Sequence, residues 1–411
     1  MIPRKRLDIE WGDLLFALGR CLTPGHGEAA RRRVERIWSP DGAALACLSV
    51  RSGFEALLRT LDLPPGSEVL LSAITIRDMA RIVAEHGLVP VPVDLDPRTL
   101  APCPEALARA ITSRTRAVVV AHLFGSRISL EPVLQAAREN GLLVIEDCAQ
   151  AYTGDGWRGH PESDVTLFSF GSIKTATALG GALLRFRDRS LRDRIEALQS
   201  TWPTQSRRSF LTRIIKYAFL KLLSNRHLYT LFVLGCRLTG ASHDSIISGS
   251  ARGFAGGDFF HKIRHQPSTP LLALLERRFR NYDRARVTER TSLAQQTIER
   301  LPTIDRPGDQ APVQTHWVFP ICHDTPDELM RFLWTRGFDA TRGASSLYTV
   351  DPPPDRLEME PAAVRRMMAR LLYLPIDMGL KDSDVTRLTR NIEEFGNLFE
   401  EGHHGRHPET I

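Results

Sequence analysis

The chain has 411 residues, 42% of them hydrophobic and 25% charged, with a net charge of +6. That length can bury a large core and suits two domains, and the composition is that of an ordinary globular enzyme rather than a disordered or fibrous chain. The six cysteines are scattered without a CxxC pair, so neither a zinc site nor a disulfide framework is indicated, no metal is expected, and a reducing cytoplasm fits best.

The positive charge admits anionic substrates, an anionic membrane surface or nucleic acid and selects none of them. The opening MIPRKRLDIEWGD lacks the apolar core of a signal peptide. No uninterrupted apolar run reaches the roughly 18 residues of a spanning helix.

Residues 1–44 read as an N-terminal arm, with one helix over 13–22 and another following the turn TPGHG. Residues 45–205 then alternate short apolar strands with amphipathic helices of about 10–13 residues, the pattern of βαβ units and a mostly parallel sheet. The strand-like runs are 44–50, SEVLLSA, LVPVPVDLD, RAVVVAHLFG, LLVIED, VTLFSF and GALLRF. Residues 206–262 break this rhythm as a basic amphipathic helical insertion. Within 206–238, Phe210, Leu211, Ile214, Ile215, Ala218, Phe219, Leu222 and Leu223 recur in pairs every four residues, and no acid lies between Arg207 and Arg237. Such a helix can lie in a membrane interface, or it can pack on its own protein or on a partner. The pattern predicts one long linking helix within 263–305, a small α+β domain over 306–400, and a disordered tail over 401–411. The tail's three histidines read as solvated.

Ligands of parallel sheets collect at the carboxyl ends of the strands. Asp147, His122, Thr75 and Ser52 all fall at or just beyond such ends and form a candidate site. An aspartate ending a strand buried on both faces is costly without a cation. It caps the next turn or pairs with a cationic ligand, such as the protonated ring nitrogen of pyridoxal phosphate (PLP). Lys174 lies in a loop of small residues that joins two strands where a helix would be expected. Desolvation there lowers an amine's pKa and makes it a Schiff-base nucleophile. The bland alternative is a surface lysine. Ser52-Gly53, opening the helix FEALLRTL, offers N–H groups to a phosphate. Ser169 can add a hydroxyl, and Gln150 can reach a ring oxygen. No GxGxxG or GxxxxGK[ST] pattern accompanies the βα units.

The runs SGFEAL, GSEVLLSAITI, VPVDLDPRTL, AITSRTRAVVVAHLFG, LLVIEDCAQA and SFGSIKTATALGG, in this order and spacing, resemble the DegT/StrS-type aminotransferases. These are PLP enzymes of the aspartate aminotransferase-like fold, and the similarity covers most of 40–205 and 263–400. The resemblance implies an α/β large domain, with a mostly parallel central sheet flanked by helices, and a smaller α+β C-terminal domain. It implies that Lys174 carries the cofactor and shuttles the proton and that Asp147 pairs with the pyridine nitrogen. Gln150 would lie near the ring hydroxyl, with Ser52, Gly53 and Ser169 on the phosphate. The implied reaction moves an amino group from a donor such as glutamate to a carbonyl acceptor, a nucleotide-linked or lipid-linked keto-sugar. This belongs to polysaccharide or secondary-metabolite biosynthesis. A homodimer with shared active sites and no nucleic-acid partner are also implied, in the cytoplasm or at the inner face of the membrane. Family dehydratases carry histidine where this chain has Lys174, which favours transamination over a lyase or dehydratase, and over a non-catalytic regulatory or scaffold homologue.

The chain departs from the family in four places. Ile76 stands where an aromatic residue stacks on the ring, and Phe54 replaces the threonine of SGT. Arg264 stands where an asparagine reaches the neighbouring subunit's phosphate. TRGASSLYTVDPPP replaces a histidine-containing substrate loop.

Overall fold

Residues with alternating apolar side chains form strands that serve two cores at once. In chain order these are β1 (Ala44–Cys47), β2 (Glu68–Ser72), β3 (Ile74–Ile76), β4 (Val89–Val93), β5 (Thr115–Ala121), β6 (Ser126–Arg127), β7 (Leu143–Asp147), β8 (Val165–Ser169) and β9 (Ala182–Phe186). The computed structural model describes residues 1–4, 6–251, 257–343 and 346–404. Its main sheet has the order β1-β9-β8-β7-β5-β2-β4. The run β8-β7-β5-β2-β4 is parallel, and β9 is antiparallel to both β8 and β1.

Leu70, Val118, Val120 and Val144 enter one apolar core, under the helices Pro104–Ala110 and Glu131–Asn140. Val69, Val119, Ile145 and Leu167 enter the other, with Phe54, Leu57, Met79 and Ile82 from the helices Val50–Leu61 and Arg77–Glu85. Burial on both faces is why these strands read as near-continuous apolar runs.

The linking helix is two helices, Thr269–Asn281 and Ala285–Arg300. The break has a local and a tertiary cause. Asp283 accepts from the amide of Ala285 (2.9 Å), and Tyr282 turns its hydroxyl to Asp8 (2.9 Å). The small domain adds β10 (Val313–Gln314), β11 (Phe319–Cys322), β12 (Leu347–Thr349) and β13 (Leu371–Leu374). β11 and β13 form an antiparallel pair, over a core shared by the helices Ala285–Arg300, Pro326–Thr335 and Asp382–His404. That last helix runs past the expected start of the tail, of which 405–411 lie outside the described residues. β12 reaches back to pair with β3, Tyr348 opposite Thr75 and Leu347 opposite Ile76. The small domain is thereby stitched to the carboxyl edge of the sheet.

The insertion contains the helices Arg207–Leu223, Arg226–Leu238 and His243–Ala251. Its expected apolar stripe divides between two faces. Phe210, Ile214 and Tyr217 are buried with Leu271 and Leu274, whereas Ile215, Phe219 and Leu222 face outward. Among the described residues no helix is long and apolar enough to cross a membrane.

Candidate active site

Strand alternation places Glu146 and Asp147 on opposite faces of β7. Glu146 is fully buried. Its Oε1 accepts from Nε2 of His122 (2.8 Å), and its Oε2 accepts from the amide of His160 (2.7 Å) and the hydroxyl of Ser163 (2.8 Å). The Nδ1 of His122 accepts from the Ile128 amide (3.1 Å), which makes Nε2 the donor to Glu146. Burial raises the Glu146 pKa, but the His122 contact and these further hydrogen bonds outweigh it and leave the carboxyl below the ordinary glutamate value. Cys148 lies close to both, with ligating atoms within 4.8 Å, and its thiol is pushed well up by burial. His122, expected among the site residues, is thus a buried latch that fixes the end of β5 beside β7. Replacing it with alanine should cost roughly 1.5–3 kcal/mol, the range for a hydrogen bond to a charged group, as a loss in denaturation midpoint. An unchanged midpoint would contradict the latch.

Asp147 looks the other way. Its Oδ1 accepts from the Ala149 amide (2.9 Å). Burial lifts its pKa above the ordinary aspartate value, and the charges of Lys174, His122 and Arg51 offset only part of that rise. Burial likewise pulls Lys174 down to about 8, with Asp147 opposing and Arg51 adding to the shift. The two residues proposed from the sequence are each half-buried and electrostatically coupled. A carboxylate short of cationic partners next to an amine near neutrality fits a cofactor with a protonatable ring nitrogen and a carbonyl carbon.

The loop bearing Lys174 is held from several sides. The Lys174 amide donates to the Gly171 carbonyl (3.0 Å), and Phe170 bonds Gly181 across the loop (3.0 Å). Asp8 of the N-terminal arm accepts from the Ala176 amide (2.8 Å). Asp8 itself is anchored by Arg278, Arg286 and Tyr282. Gly181 has φ +86, and a Cβ there would lie 2.6 Å from Leu275. Its glycine is thus explained by the turn and by the helix behind it. The amine of Lys174 stands 4.1 Å from the ring centroid of Trp317, whose Nε1 donates to the Ile173 carbonyl (3.1 Å). Ser169 and Lys174 flank Gly171, whose amide donates to the Ser169 hydroxyl (3.4 Å).

The expected phosphate cradle is arranged differently. The helix starts at Val50, not at Ser52, and Ser49 is its cap. Ser49 accepts from the Ser52 amide (3.2 Å) and pairs with the Ser52 hydroxyl (2.9 Å), while its carbonyl takes the Gly53 amide (3.0 Å). The Gly53 amide is thereby used within the helix. A Cβ on Gly53 would lie 2.6 Å from Leu184, so this glycine allows the helix to approach β9. Phe54 is wholly buried in the apolar core, where its side chain cannot face a ligand. Arg51, in the same first turn, is held by Asp78 and acts electrostatically on both Asp147 and Lys174. Gln150 accepts from the Phe124 amide (2.8 Å), which leaves its NH2 as the group able to serve a ring oxygen. Arg264 bonds buried Glu55 within its own chain (Nε 2.7 Å, Nη2 2.6 Å). Ile76 caps the β3–β12 pair and packs beside Tyr348.

Arg51, Trp317 and Asp8 escaped the sequence reading. Arg51 directly precedes the Ser52 motif, a position that could have flagged it. Trp317 and Asp8 reach Lys174 only through the fold.

Residues 38–216 match the DegT/DnrJ/EryC1/StrS aminotransferase family. GDP-perosamine synthase of Caulobacter vibrioides is 33% identical over 168 residues, 40% of this chain and 45% of that protein. The chain thus matches less than half the length of this curated relative. The solved aminotransferase TlmJ of Streptoalloteichus hindustanus superposes with a TM-score of 0.69 at 20% identity, covering 97% of this chain and all of the other. The sugar aminotransferase CalS13 of Micromonospora echinospora gives 0.67 at 19%, over 96% of this chain and all of the other. The fold of these solved aminotransferases therefore extends along nearly the whole chain, and the match to the DegT/DnrJ/EryC1/StrS aminotransferase family model lies within residues 38–216.

Proposed function

We propose that this protein is a PLP-dependent aminotransferase, a reading carried by the electrostatic coupling of half-buried Asp147 and Lys174 at the carboxyl edge of the sheet. Bound PLP would supply an electron sink and a carbonyl carbon. Lys174, with its pKa near 8, presents a substantial neutral fraction at physiological pH and would be the residue that holds the cofactor. The same amine would take and return the proton at the substrate carbon. Asp147 holds the proton on the ring nitrogen through charge. The Ser52 hydroxyl, Ser169 and the first turn at Arg51 receive the phosphate. The Gln150 NH2 donates to the ring oxygen. Ile76 offers an aliphatic face without stacking, and Trp317 shields the amine from water.

The amino donor is an amino acid such as glutamate, and the acceptor is a nucleotide-linked or lipid-linked keto-sugar. The name of the perosamine-forming relative supports a sugar-linked acceptor. The enzyme works as a homodimer in the cytoplasm, and the insertion brings it to the inner membrane face. Glutamate added to the PLP-loaded protein should discharge its visible absorbance, and a keto acid should restore it. Ammonia release without restoration would instead identify a lyase. For the membrane, full-length protein should float with anionic liposomes, and Phe219→Glu should reduce the floated fraction severalfold. Equal flotation of the two would refute the contact.

A further inference from the structure

A cleft of about 110 Å³ opens between the insertion, the N-terminal arm and the small domain. Tyr217, Leu220, Leu223 and Ile247 of the insertion line it, together with Ile173 and Trp317. Ile173 is the chain neighbour of Lys174, and the Trp317 ring lies 4.1 Å from the lysine amine. The cleft therefore adjoins the loop that carries Lys174, with the Trp317 ring touching both the cleft and the amine.

The wall is fixed rather than loose. Tyr229 of the insertion bonds fully buried Asp339 of the small domain, as does Arg4 of the arm (2.7 Å). Thr341 donates to Asp244 of the third insertion helix (2.7 Å). These bonds hold the polar side chains at one margin and leave an aliphatic and aromatic channel.

The same helix has a second face. Tyr217, Leu220 and Ser224 line the cleft, while Ile215 and Phe219, both 61% exposed, and Leu222 lie on the opposite side. Leu231, Leu234 and Leu238 on the next helix are also exposed. Arg207, Arg208, Lys216 and Lys221 accompany them in a stretch without an acid. An element that is apolar and basic outside and apolar inside, lining a cleft that adjoins the Lys174 loop at Ile173 and Trp317, suits an acceptor drawn from an anionic, hydrocarbon phase.

We propose that the insertion builds a subsite for a hydrocarbon chain, so that the carbonyl acceptor is an amphiphile whose tail lies in this cleft while its head meets Lys174. The inference rests on the aminotransferase reading and narrows its acceptor to the lipid-linked class.

The test is calorimetric titration of the full-length protein, free of PLP, with n-dodecyl phosphate kept below its micelle concentration and with n-butyl phosphate. Dodecyl phosphate should bind saturably at one per chain, and butyl phosphate should bind at least about tenfold more weakly. Leu220→Arg and Ser224→Trp, which obstruct the cleft from two positions, should each lose at least about tenfold in dodecyl phosphate affinity while keeping the wild-type melting temperature. Phe219→Glu, on the outer face, should bind within about twofold of wild type. Ser224→Trp begins from a partly buried position and keeps the test sharp if Leu220→Arg misfolds. Equal affinity for the two phosphates, unchanged affinity in the folded cleft variants, or a loss confined to Phe219→Glu would each overturn the subsite. A protein that binds the chain in the cleft but takes no PLP would refute the aminotransferase reading alone.

Discussion

Lys174→Ala should lower amino transfer by roughly 10⁴-fold or more, the upper range of general acid–base catalysis with the covalent step lost as well. The loss should occur without unfolding. The loop is held through its backbone, by the bonds of Phe170 with Gly181 and of Ala176 with Asp8, and these do not involve the lysine side chain. Removing a half-buried amine also removes its desolvation penalty, so the melting temperature should not fall appreciably. The measurements are single-turnover kinetics with glutamate and a thermal melt on the same preparation. Retention of more than a few per cent of activity would mean that another group captures the cofactor.

Asp147→Asn should cost roughly 10²- to 10⁴-fold in turnover, the rate equivalent of the about 3–5 kcal/mol lost when one partner of a desolvated charge pair is removed. It has a second, signed effect. The charge of Asp147 supports the protonated form of Lys174, so its loss should move the lysine pKa further below about 8. The neutral amine is the form that captures PLP. In the wild type the capture rate should climb with pH through a midpoint near 8 and then level off. In Asp147→Asn the midpoint should lie at lower pH. A purely structural aspartate would slow the reaction and leave the midpoint in place, so the capture profile separates the two roles.

What the sequence made legible follows the reach of its signals. The strands from Glu68–Ser72 to Ala182–Phe186 were readable because burial on both faces makes them apolar runs between turn residues. The positions of Asp147 and Lys174 followed from those strands. The helix start at Val50 was misplaced because Ser49 and Ser52 are both good caps, and only the tertiary setting chooses between them. The break at Tyr282 was missed because the local pattern is helical throughout, whereas the Tyr282–Asp8 bond spans most of the chain. The stripe of the helix Arg207–Leu223 was visible, but its division into a buried and an exposed face depends on where the arm and the helix Thr269–Asn281 come to rest. Arg264 looked free to serve a phosphate, and its partner Glu55 lies in a distant helix. Trp317 approaches Lys174 from the small domain, a juxtaposition that no local motif encodes.

The central claim is that one amine, Lys174, carries the cofactor. The direct measurement is borohydride reduction of the PLP-loaded protein, followed by proteolysis and mass spectrometry. The chain has six lysines, so the site of labelling is decisive. The account predicts one PLP per chain, confined to the peptide containing Lys174. An unlabelled protein, or a label on any of the other five, would contradict it.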